Sequence, residues 1–68
     1  MTLEEIRRKL EFWLTAENAL ISTIKDLSEA EDSNLISALT VEANNQIQIR
    51  EIAQESYFEA VRNWNSGR

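Results

Sequence analysis

Glu17 sits in the stretch EFWLTAENALI, residues 11–21, where the helical neighbours on its own phase are apolar. A carboxylate in such a stripe has three chemical uses in a helical protein. It can close an ion pair that fixes register, ligate a metal, or greet a polar group on a partner. The metal use asks for more ligands than the chain offers. Helical di-metal sites combine Glu with a Glu-x-x-His pair, and this sequence has no histidine. Nor does it have cysteine, so thiolate ligands and disulfides are excluded. Serines and threonines occur with no base beside them, and no glycine-rich loop is present to cradle phosphate. The expectation is a protein that is not an enzyme, with no catalytic residues, no metal site and no cofactor. The polar residues left to explain are Glu17, Glu42, Gln46 and Arg50.

The elements that position them are helical. There is no proline, and the one glycine is Gly67, so nothing breaks a helix before the end of the chain. Thr2-Leu3-Glu4-Glu5 reads as a capping box with an acidic first turn. Leu3, Ile6, Leu10, Trp13, Leu20, Ile24 and Leu27 then follow heptad spacing, with Glu17 filling the missing position and Leu14 and Ile21 widening the stripe. This predicts a first helix over residues 2–28. A polar stretch with good N-caps at Asp32, Ser33 and Asn34 predicts a turn over 29–33. A second helix is predicted over 34–65. One of its faces carries Leu35, Leu39, Ile49, Ala53, Tyr57, Ala60 and Trp64, and an adjacent stripe carries Ile36, Ala43, Ile47, Phe58 and Val61. Asn44-Asn45 and the alternation Ile47-Gln48-Ile49 mark a weak stretch, where a kink or a short strand competes with helix.

Two long helices and a short turn make a single all-α domain, an antiparallel hairpin. Folding about residue 31 sets Ile24 near Leu39, Leu10 near Ala53 and Leu3 near Ala60, so large residues meet small ones. The same register brings Glu17 opposite Gln46 and Ile47, with Glu42 and Arg50 a turn away. The expectation is a polar layer of Glu17, Glu42, Gln46 and Arg50 in mid-hairpin, because an unpaired buried carboxylate is costly.

A hairpin of this size makes a marginal core and needs a further staple. The apolar side chains exceed what two helices can bury against each other. Leu14, Ile21, Ile36, Ile47, Phe58, Val61 and Trp64 are the candidates for an interface. The simplest cover is a homodimer forming a four-helix bundle; the other is a different protein. The net charge of −5 argues against direct nucleic-acid binding. No run of about 20 apolar residues reads as a membrane span. The N-terminus, MTLEEIRRKL, does not read as a signal peptide. The expected location is cytoplasmic.

The opening TLEEIRRKLEFWLTAENAL, with the aromatic of VRNWN near the end, resembles short phage-encoded helical proteins associated with head–tail joining. The resemblance implies a phage structural or accessory protein and a place in the virion. The middle, DSNLISALTVEANNQIQIREI, departs from that pattern. Two functions follow from the residues themselves. The first is a helical interaction and assembly module. The alternative is a small acidic inhibitor that blocks a basic, nucleic-acid-binding surface of a target, using Glu4, Glu11, Glu51, Glu55 and Glu59.

Overall fold

The computed structural model describes residues 2–67 as a small all-α two-helix hairpin. Helix α1 spans Leu3–Glu29 and helix α2 spans Ser33–Ser66. Each begins at a side-chain cap. Thr2 Oγ1 accepts a 3.2 Å bond from the Glu5 backbone N–H, and Asp32 Oδ1 accepts a 3.0 Å bond from that of Asn34. Helix α2 runs unbroken through Asn44, Asn45 and Ile47-Gln48-Ile49. Both asparagines are exposed, where their side chains meet water rather than competing for the backbone.

The seam between the helices is built from small residues. The buried apolar side chains are Ala16, Leu20, Ala43, Ala53 and Ala60, and among the described residues no large side chain is completely enclosed. Thr23 is buried beside them, its hydroxyl donating to the Ala19 carbonyl at 3.1 Å, so the helix itself satisfies this polar group. On α2 the seam follows the heptad positions Leu39, Ala43, Gln46, Arg50, Ala53, Tyr57, Ala60 and Trp64, all buried or half-buried.

Two features differ from the sequence expectation. The first is the rotation of α1. Its buried and half-buried positions include Ile6, Lys9, Trp13, Ala16, Leu20, Thr23 and Leu27, whereas Leu3 and Ile24 are exposed. A wide apolar stripe has two edges, and the helices pack along the edge with the smaller residues, where backbones approach more closely. The second is register. Lys9 Nζ donates to Ser56 Oγ at 2.8 Å, and Glu17 Oε1 lies 3.5 Å from Arg50 Nη1. Glu17 therefore meets α2 about one turn beyond Gln46. The cause lies in the turn: Ala30 and Asp32 are extended (ψ 138° and 124°). Extended residues climb about 3.3 Å each. They carry the chain past the end of α1 before α2 turns back.

Because the seam admits nothing larger, Ala53→Leu should destabilise the protein by about 1–3 kcal/mol through overpacking. The check is a circular-dichroism melt, in which the variant should lose several degrees of Tm relative to wild type.

Candidate functional site

The two cross-helix polar contacts mark opposite sides of the hairpin. Lys9 and Ser56 meet on one side, and Glu17 and Arg50 on the other. With 100° between successive residues, Leu3, Leu10, Leu14, Ile21 and Ile24 of α1 fall on the Glu17 side. Ile36, Ile47, Phe58 and Val61 of α2 fall on the Arg50 side. One long face of the hairpin thus carries apolar side chains from both helices. Much of it is open: Leu14 is 50% and Ile21 57% exposed, and Ile24, Ile36 and Phe58 are also exposed. Ile47 and Val61 are half-buried at its inner edge.

Between the levels of Lys9 and Glu17 this face is braced by aromatics. Trp13, Tyr57 and Phe58 form a triangle with ring centroids 5.5–5.6 Å apart and planes tilted by 39–60°. Such tilted pairs are favourable beyond their area alone. Phe58 packs on both rings and is still 42% exposed. Trp64 is half-buried on the seam phase rather than standing out on the face.

The Glu17–Arg50 pair sits in the middle of the apolar face. The two side chains are 36% and 31% exposed, respectively. Arg50 Nε is buried and makes no hydrogen bond among the described residues, and the same holds for Gln46 Oε1. At 3.5 Å the pair is longer than a tight charge-assisted bond of about 2.7–2.9 Å. The expected four-residue layer is thus reduced. Glu42 is exposed and accepts only a long 3.4 Å bond from Gln46 Nε2 within its own helix. The rotation of α1 and the shift in register carry Glu17 past Gln46 and onto Arg50, leaving Glu42 on the far edge of the seam.

On the opposite side of the hairpin Phe12, Ile49 and Ile52 are exposed too, but Lys9, Glu42, Asn45 and Ser56 stand among them. Along the outer surface of α2, Glu51, Glu55 and Glu59 line a shallow open groove with Gln48, Ile52 and Ser56. Arg62 partly neutralises it through a 3.8 Å contact with Glu55. Among the described residues no group of three or more His, Cys, Asp or Glu is placed to hold a metal ion. No helix there is long and apolar enough to cross a membrane.

The sequence reading missed Lys9, whose bond to Ser56 pins the register. The signal was present: Lys9 shares its helical phase with Ala16 and Thr23, seven residues apart in turn. It also placed Leu3 and Ile24 in the seam, whereas both are exposed and extend the open face; Leu10 is half-buried.

Comparison with family models, curated proteins and solved structures finds no match to this chain. The site must be read from its own geometry.

A partly exposed ion pair at 3.5 Å adds little to stability, and apolar residues can replace it at no cost. The double variant Glu17→Leu/Arg50→Leu should stay helical and melt at a higher temperature than wild type. Its distribution of association states in sedimentation should broaden, because the cross-helix charge pair on the face is gone.

Proposed function

We propose that the protein is a non-enzymatic helical interaction module, and that it works by presenting the Glu17–Arg50 face to another apolar helical surface. The observation that carries this reading is surface area. The chain exposes 5081 Å². A compact monomer of 7.9 kDa is expected to expose about 4,400 Å². The excess, about 700 Å², approaches the roughly 800 Å² that each partner buries in a standard interface. Leu3, Leu14, Ile21, Ile24, Ile36 and Phe58 share this face, while Phe12, Leu35, Val41, Ile49 and Ile52 are exposed elsewhere; a contiguous apolar patch of this kind marks an interaction site.

A four-helix bundle is the architecture this face suits best, since each hairpin already supplies two of the four helices. The N-terminal likeness to phage head–tail proteins adds a candidate setting, the virion, for such an assembly piece. A second reading, the acidic inhibitor, draws on the groove lined by Glu51, Glu55 and Glu59. The two differ in salt response. Docking through the apolar face should be nearly indifferent to ionic strength, whereas docking through the carboxylates should weaken steeply as salt rises.

Since the chain has no cysteine, a single introduced thiol reports its own surroundings. In the cell that makes the protein, the thiol of an Ile21→Cys variant should be protected from maleimide. That of an Ile52→Cys variant, at a position 67% exposed on α2, should label freely. Equal labelling of both thiols overturns the reading.

A further inference from the structure

The apolar face has no cover within the chain, and the Glu17–Arg50 pair is the only cross-helix ion pair given by the described residues. Both members stand near the middle of their helices, Glu17 in Leu3–Glu29 and Arg50 in Ser33–Ser66. Each retains bonding capacity. Arg50 Nε is buried and unpartnered among the described residues, and the pair holds at only 3.5 Å. A face with one acid and one base side by side is complementary to itself when turned over.

We infer that the cover is a second copy of this chain, and that the two hairpins are related by a two-fold axis parallel to the helices. This rests on the reading of the face given above and names its occupant. Two symmetric ways of stacking the faces exist. If the axis runs along the helices, α1 of one protomer lies on α2 of the other and levels are preserved. Glu17 then meets Arg50 of the partner subunit as well as its own, and four charges alternate around a square. If the axis runs across the helices, α1 lies on α1. Glu17 then meets a second Glu17, and Arg50 a second Arg50. Like charges facing each other in a partly dry layer repel and suppress that pairing, which selects the first arrangement.

The apolar residues agree with that choice. The Glu17–Arg50 level fixes the others by the helical rise. It puts Leu10 within one residue of the level of Phe58 and Ile21 within one residue of that of Ile47. With α1 on α2, opposite charges meet at the centre, and Leu10 and Ile21 stand near the levels of the partner's Phe58 and the partner's Ile47.

The test uses the purified full chain and charge exchange at the two positions, read by sedimentation equilibrium and native mass spectrometry. Wild type should dimerise. Glu17→Arg places four bases in the layer and Arg50→Glu four acids, and each should weaken the dimer by at least about tenfold. Mixed in equal amounts, the two variants should recover the dimer as a one-to-one heterodimer. Should either variant fail to fold alone, the mixture is read by helical circular dichroism regained on mixing. A mixture no better than its components overturns the shared layer. The double variant Glu17→Arg/Arg50→Glu keeps opposite charges within each chain and should dimerise with itself. It should refuse wild type, because α1 on α2 would then set like against like. Free mixing of the double variant with wild type overturns the orientation. A wild-type chain that is monomeric at all concentrations overturns the inference outright, while protection of the Ile21→Cys thiol in the cell would still uphold the interaction module.

Discussion

Everything in this molecule follows from how little two helices can bury when their seam is made of alanine. Ala16, Ala43, Ala53 and Ala60 let the helices close on one another. Close approach improves van der Waals contact but hides few methylene groups, and burial of apolar area is the dominant favourable term in folding. A seam of leucines would have consumed the apolar residues of α1 and left a polar exterior. Here the narrow seam leaves Leu14, Ile21 and Ile24 outside, where they form the face rather than the core.

The polar contacts then divide the labour. Lys9 and Ser56 hold one side of the seam with a 2.8 Å bond that fixes how far α2 slides along α1. The Trp13–Tyr57–Phe58 triangle packs the helices together between the levels of Lys9 and Glu17. Glu17 and Arg50 contribute less to holding the hairpin together, since a half-exposed pair at 3.5 Å is a weak clamp. Its position gives it another value. A charge pair in the centre of an apolar surface penalises any partner that arrives out of register, because that partner would leave it dry and unmatched.

Much of this was legible in the residues. The absence of proline, the late single glycine and the caps at Thr2 and Asp32 specify two helices and a turn, and the helix ends fall within a residue of expectation. The face residues Leu14, Ile21, Ile36, Ile47, Phe58 and Val61 came from counting more apolar side chains than a hairpin can hide; Leu14, Ile21, Ile36 and Phe58 are exposed and Ile47 and Val61 half-buried. The rotation of α1 was not legible, because a stripe wider than one seam offers two packing edges and hydropathy alone does not rank them. The register was missed because a turn described only by its length says nothing about whether its residues climb or curl. Extended backbone at Ala30 and Asp32 moved the cross-helix pairs by between half a turn, as at Lys9–Ser56, and a full turn, as at Glu17–Arg50. That displacement traded Gln46 for Arg50 as the partner of Glu17 and removed Glu42 from the layer.

The hairpin topology also gives the rod a direction. It extends 53 Å along its axis and only 14 by 12 Å across. Thr2 and Gly67 share one tip, while the other tip carries Glu29, Glu31 and Asp32. A tether attached at either terminus leaves from the same end, and the acidic tip projects as far away from it as the molecule allows. In the two-fold arrangement inferred above all four termini emerge together. Two cargoes joined to this chain would be held side by side, never at arm's length.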